Sequence, residues 1–286
     1  HGKMYVADYN NHRVLRFNYP LTGSKPVADL VFGQPDFTSN TANNGGMSAS
    51  SISGPLSVAL DASGNLWVSD SNNGRLLRYP NAWQTSSNKP SADRVLMAAD
   101  FTTAGYGVYQ ITFDDAGNLW VAGGSAHQVY MYAPADQVSG TVSATKRFGL
   151  SGSIAGTAQN ALNTPTGICM IGTTLFVFDY MNHRVLRFDD AANLPDYSNA
   201  SGMIGQIDWS HNTHGTSQNK LYYPYFLETD GKGNLYVSED ENNRVLVFND
   251  AINISVTPYG ANASSVLGQP DFITNTAITT QKSLND

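Results

Sequence analysis

Five stretches of this chain read alike, and that repetition limits the fold more than any other feature. The first runs Met4-Tyr-Val-Ala-Asp-Tyr-Asn-Asn-His-Arg-Val-Leu-Arg-Phe17, with echoes at 66–79, 119–132, 175–188 and 235–248. Each holds two short alternating apolar runs split by a polar turn, the pattern of a β-hairpin. Upstream of four cores lies another run closed by a tight-turn signal, as in Val58-Ala-Leu-Asp61-Ala-Ser-Gly64-Asn65. Downstream comes a fourth run, as in 30–37, 95–101 and 266–272. One unit is therefore four antiparallel strands, A to D in chain order. The anchor positions Asp8, Asp70, Gly123, Asp179 and Glu239 are 62, 53, 56 and 60 residues apart.

One twisted sheet cannot bury both faces, whereas several packed face to face around an axis can, so the repeat predicts an all-β β-propeller of four-stranded antiparallel blades. No segment sustains a 3.6-residue period, which excludes helical solenoids. A single domain over 1–286 is expected. Leu284-Asn285-Asp286 aligns with Ile52-Ser53-Gly54, and His1-Gly2 with Ser63-Gly64. Five blades are expected on that alignment, one of them lacking the strand A equivalent to Pro55–Ala62. A sixth repeat outside the sequence is the alternative.

Composition narrows the function. Charged residues are 14% of 286, the net charge is −7, and only 16 are Lys or Arg. A nucleic-acid binder needs a basic surface to displace counterions from phosphates, so RNA or DNA is not an expected partner. No run of about 20 apolar residues suggests a membrane span. Solubility rests instead on neutral polar groups, including 27 Asn. That style, the abrupt start at His1-Gly2-Lys3 and the sequons at Asn199, Asn253 and Asn262 fit a secreted or cell-surface protein. The single cysteine, Cys169, allows no internal disulfide and lies in an apolar run, as an inert core thiol would.

The core Tyr-Val-Ala-Asp-x-x-Asn-His-Arg-Val-Leu-Arg-Phe, at 5–17 and again closely at 176–188, resembles the NHL repeat. Val-Phe-Gly-Gln-Pro-Asp-Phe (31–37) and Val-Leu-Gly-Gln-Pro-Asp-Phe (266–272) resemble linkers of secreted bacterial NHL-repeat proteins. The resemblance implies a propeller, usually six-bladed. It leaves function open among protein and RNA binding, sensing, and lyase- or hydrolase-like activity.

Four pairs keep a five-residue offset across the B–C turn: Asp8/Arg13, Asp70/Arg75, Asp179/Arg184 and Glu239/Arg244. Their recurrence marks them as blade construction, a carboxylate accepting turn amides and pairing with the returning guanidinium. The third blade has Gly123 and Gln128 there, a turn either decayed or opened for a partner. His12 and His183 occupy equivalent positions and read as structural. Asp61, Asp114 and Asp230 belong to A–B turns, which account for them without calcium. His211 and His214 form a His-x-x-His pair, but a zinc site needs further ligands. No cofactor is expected, a single Ca²⁺ or Zn²⁺ ion being the alternative, and no nucleophile elbow or phosphate loop occurs. His1, as an N-terminus, could chelate copper.

The repeats disagree most in the fifth unit. B–C turns and D–A loops should share one rim, and there Leu221-Tyr222-Tyr223-Pro224-Tyr225-Phe226 replaces the pattern Leu-Asn-Thr-Pro-Thr-Gly of 162–167. The preceding loop carries Trp209, His211 and His214. Aromatics with polar tips suit partly desolvated contacts. The expected function is a non-enzymatic, extracytoplasmic binding or assembly module presenting this rim to a protein or carbohydrate. The alternative is a metal-dependent lyase or hydrolase with an axial site drawing on His127, His211, His214 and channel-facing carboxylates.

Overall fold

The computed structural model describes residues 2–254, 260–278, 280 and 284. His1, Asn285 and Asp286 lie outside the described residues, and with them the copper reading and part of the end alignment. Nineteen strands and seven single-turn 3-10 helices are described, with no α-helix. The first sheet has three strands, β1 (Lys3–Asp8), β2 (Arg13–Asn18) and β3 (Leu30–Phe32). The other four have four each: β4 (Pro55–Leu60) to β7 (Arg94–Leu96), β8 (Ile111–Phe113) to β11 (Lys146–Phe148), β12 (Pro165–Ile171) to β15 (Gly202–Ile204), and β16 (Pro224–Thr229) to β19 (Ser265–Leu267). Neighbouring strands follow chain order, and the pairings are antiparallel. The fold is all-β with five blades of the β-propeller kind. Among the described residues the first blade has strands B, C and D.

Two compact units are distinguished, residues 1–119 with 132–145 and residues 120–131 with 146–286. In the first, Val14 and Phe32 pack with Ile52, Leu66, Val68, Leu77 and Tyr79 in one buried cluster. In the second, Phe176, Phe178 and Val185 pack with Leu221, Leu227, Val237 and Leu246. In both, alternate residues of one sheet meet those of the next, each large side chain contributing about 1.5–3 kcal/mol. Cys169 belongs to the second cluster, and burial pushes its thiol far above the usual range.

Strand D is shorter than the sequence predicts, three residues in every blade. It stops because the next residue is left-handed: Gly33 (φ +87), Gly205 (φ +97) and Gly268 (φ +91). A side chain would not fit at Gly205, where a Cβ would lie 2.8 Å from the His183 carbonyl and 2.9 Å from Leu221. The Gln that follows is a strap. Gln206 Nε2 donates to the carbonyls of His183 (3.0 Å) and Thr213 (2.9 Å), tying the D–A loop to the B–C turn. Gln34 does the same for His12 and Thr41. Within each unit, then, B–C turns and D–A loops share a rim.

Candidate functional site

The rim is built on the recurring carboxylate–arginine pairs. In the B–C turn the residue after the 3-10 helix is left-handed (His12, Gly74, His183), which swings the chain back so that the Arg faces the carboxylate. Nε to oxygen distances are 2.7 Å for Arg75–Asp70, 2.7 Å for Arg184–Asp179 and 2.5 Å for Arg244–Glu239, all solvent-free. Burial pushes these carboxyls up, opposed by the guanidinium, the amide of Asn73, Asn182 or Asn242, and a D–A loop N–H. That N–H comes from Ser53, Asn163 or Tyr222. Arg184 and Arg244 also donate to loop carbonyls, so each pair anchors the preceding D–A loop. Asp8 and Arg13 pair at 2.8 Å but stay 25% and 16% exposed.

The third turn departs from this scheme as a set, with Gly123, Ala126 and Gln128 at the carboxylate, Asn and Arg positions. A Cβ on Gly123 would lie 2.5 Å from the Tyr130 ring. The turn is filled from within by Tyr130 rather than left open.

The left-handed histidines have a role that sequence reasoning left undefined. Nδ1 of His12 accepts the Gly54 N–H (3.0 Å), His127 that of Thr164 (3.0 Å) and His183 that of Tyr223 (3.2 Å). Each ties one blade's turn to the start of the next blade. The three recipients are left-handed themselves, at φ +58, +58 and +43.

At the fifth blade this geometry assembles an aromatic row. His214 lies flat on Tyr222, with centroids 4.0 Å apart and planes 12° from parallel. Tyr222 stacks on Tyr223 at 5.0 Å, and Tyr223 on Tyr180 at 4.8 Å. Tyr180 meets Tyr225 at 6.0 Å and 87°, and Tyr225 meets Phe226 edge-on. His183 sits beneath, its ring edge-on to Tyr223 at 4.6 Å. Burial and the neighbouring His214 push the His183 imidazole down to about 4, which keeps Nδ1 an acceptor. Lys220, donating to Thr213, marks the His214 end of the row. At the other end the charges of Asp240 and Glu241 join burial in raising the Tyr180 phenol.

Four of the predicted rim residues, His214, Tyr222, Tyr223 and Tyr225, are thus brought together. Trp209 and His211 are not, and among the described residues neither ring stacks with the row. The Trp209 carbonyl accepts from Arg184 as the Phe37, Phe101 and Phe272 carbonyls accept from Arg13, Arg75 and Arg244. His211 Nδ1 lies 2.7 Å from Asp208, whose equivalents Asp36, Asp100 and Asp271 hold the same turn through Ser or Thr. Tyr180 was missed because it sits inside the hairpin core, where Tyr9 is its repeat equivalent. Asp61 and Asp114 each accept turn amides and an Asn side chain, and Asp230 does likewise. Among the described residues no three His, Cys, Asp or Glu side chains converge as ion ligands. None of the described helices is long and apolar enough to cross a membrane.

The NHL repeat family model matches residues 53–79, from the second blade's entry loop through its third strand, Arg75–Tyr79, and supports an NHL-repeat β-propeller family. A search of curated proteins found no match. Among solved structures the chain is similar to virginiamycin B lyase from Staphylococcus aureus, with 12% identity and a TM-score of 0.52, covering 88% of this chain and 64% of the lyase. It is also similar to a functionally unknown protein from Desulfotomaculum acetoxidans, with 12% identity, a TM-score of 0.54, and 94% and 67% covered. A Bacteroides thetaiotaomicron protein of unknown function gives 16% identity, a TM-score of 0.54, and 83% and 54% covered. The chain therefore spans less than two thirds of the lyase's length, and at these identities the likeness is one of fold.

Proposed function

We propose that this chain is an extracytoplasmic binding or assembly module that engages a protein or carbohydrate partner through the fourth- and fifth-blade rim. The observation that carries the reading is the row His214–Tyr222–Tyr223–Tyr180–Tyr225, a run of rings on a rim whose turns and loops are otherwise tied by the carboxylate–arginine pairs. Tyrosine combines a large apolar contact with a polar tip and loses little side-chain entropy on binding, which suits a contact surface. The low charge and neutral polar composition favour an extracytoplasmic setting. An enzymatic reading finds support in the fold likeness to virginiamycin B lyase. It weighs less, because His127, His211 and His214 are engaged separately, by Thr164, Asp208 and Tyr222.

The test is a binding screen of the whole chain against immobilised oligosaccharides and peptides, repeated with the Tyr222→Ala/His214→Ala double variant. A ligand held by the parent chain and lost by the folded variant is the expected outcome. Binding that the double variant leaves unchanged would overturn the reading.

A further inference from the structure

The chain contains the step Asn-Gly twice, at Asn44-Gly45 and Asn73-Gly74, each time after another Asn. The fold treats the two oppositely. Asn73 is buried in the second blade's B–C turn, where its Nδ2 donates to Asp70 and to Asn43 at 2.8 Å each. The Gly74 N–H donates to the Ser71 carbonyl, so that backbone is held as well. Asn44 lies in the D–A loop between the first and second blades. The base of its turn is fixed, because Asn43 exchanges side-chain amide bonds with Asn73 at 2.9 and 2.8 Å and its carbonyl accepts the Gly46 N–H. The tip is open. Gly45 and Gly46 are left-handed at φ +85 and +96, and a Cβ on Gly46 would meet nothing within 4 Å. Among the described residues the Gly45 N–H donates to no acceptor.

A cation reaches this tip. Lys89, in the second blade's C–D loop, is anchored by its backbone N–H on the Val31 carbonyl (2.9 Å). Its ammonium donates to two oxygens of Asn44, the main-chain carbonyl at 2.6 Å and the side-chain Oδ1 at 3.3 Å. It would also lie 3.7 Å from a Cβ placed on Gly45. The ammonium thus stands where negative charge develops when a backbone nitrogen attacks the preceding side-chain amide. Glycine carries no side chain to obstruct that attack. We propose that Asn44 is a self-modification site, at which the Gly45 nitrogen closes on Asn44 Cγ and Lys89 receives the oxyanion. As the N–Cγ bond forms, the Gly45 proton passes to water and Oδ1 takes the carbonyl electron pair. Return of that pair breaks the Cγ–Nδ2 bond, and Nδ2 takes a proton from water and leaves as ammonia. Water then opens the cyclic imide at either of its two carbonyl–nitrogen bonds, giving aspartate or its β-linked isomer. Overall one water is consumed and one ammonia released, with no change of oxidation state. The new carboxylate converts a neutral contact with Lys89 into an ion pair between two loops, and leaves the chain one unit more negative than −7.

The whole chain is held at neutral pH in heavy-oxygen water, and peptides spanning Asn44 and Asn73 are followed by mass spectrometry for the labelled carboxyl. In the folded chain Asn44 should convert at least about tenfold faster than Asn73, a barrier difference of about 1.4 kcal/mol. In urea the two should convert at similar rates, since both are Asn-Asn-Gly steps. Lys89→Met should slow Asn44 about tenfold, the loss of one water-exposed oxyanion donor against the roughly hundredfold or more of an enclosed one. Lys89→Arg keeps the charge and should retain most of the rate, and neither variant should alter Asn73. Thermal unfolding confirms that each variant folds. Equal rates at Asn44 and Asn73 in the folded chain, or a difference that persists in urea, would overturn the site. So would a Lys89→Met rate matching that of the parent chain, which would leave the ammonium without a part in the reaction.

Discussion

Nδ1 of His183 accepts the backbone N–H of Tyr223 across the boundary between the fourth and fifth blades, at 3.2 Å. The bond requires a neutral imidazole, and the pKa of His183 is pushed down to about 4 by burial and by His214. The unfolded chain, with an ordinary histidine near 6.5, binds the proton more readily than the folded chain does. Stability from this group is therefore complete above about pH 6.5, falls as pH drops from there toward 4, and changes no further below. Urea unfolding of the parent chain should show a midpoint that declines over that interval. His183→Asn, which copies the left-handed Asn243 of the fifth blade, should flatten the decline; an identical slope in both proteins would count against the assignment.

The carboxylate–arginine pairs should differ in cost according to burial. Asp179→Asn leaves Arg184 as an uncompensated charge in a solvent-free site and should cost about 3–5 kcal/mol. Asp8→Asn breaks a pair that water reaches and no D–A loop N–H caps among the described residues, so about 0–1 kcal/mol is expected. Chemical denaturation of the two variants side by side checks the ranking, and equal losses would mean that the capping loop contributes nothing.

The fold was legible in the sequence because the hairpin unit repeats its own chemistry. Asp, Asn and Arg at fixed offsets mark a turn that can be built one way, and the apolar alternation around it supplies the register Asp179↔Arg184 seen in the sheet. The extent of strand D was harder to read, because Val-Phe-Gly-Gln-Pro-Asp-Phe continues an apolar run past the glycine whose left-handed φ ends the strand. At the rim, Tyr222, Tyr223 and Tyr225 stood out as departures from the repeat. Tyr180 did not, since it lies in the conserved-looking core and only the fold brings it against Tyr223. His211 stood out by its spacing from His214, but in the structure its ring bonds Asp208, at the place where Ser39, Thr103 and Thr274 hold the equivalent turns. The third turn looked empty on paper because Tyr130, which fills it, sits on the returning strand.

Repeat consensus is a poor guide at Gly74. Three equivalent positions carry histidine, so Gly74→His looks like an improvement. A Cβ there would lie 2.5 Å from the backbone carbonyl of Gly105 and 2.7 Å from that of Tyr106. Backbone cannot step aside cheaply, and a loss of about 1–3 kcal/mol is expected. Gly172→Asn is the control, since Gly172 is also left-handed (φ +59) but has nothing within 4 Å. The melting temperature should fall clearly for the first variant and hardly change for the second.

Tyr223 occupies a backbone conformation that tyrosine disfavours. Its φ of +43 matches the +58 of Gly54, the glycine at the same place before the second blade. A side chain there carries about 1–2 kcal/mol of strain, which the His183 bond and the two stacked neighbours offset. Removing the ring while keeping the strain should therefore be worse than removing both. Tyr223→Ala loses the stacks with Tyr222 and Tyr180, about 0.5–1.5 kcal/mol each, and retains a Cβ at positive φ. Tyr223→Gly loses the same stacks but relaxes the backbone, partly offset by the greater freedom of glycine in the unfolded chain. The glycine variant should be the more stable of the two by about 1 kcal/mol in urea unfolding, the reverse of the order at an ordinary extended position. In both, the ring-current shifts of His214 and Tyr222 should move toward free-residue values, because the row has lost its middle member. If alanine proved the more stable, the left-handed backbone at the centre of the rim would be wrong, and with it the way His183 holds the tyrosines in line.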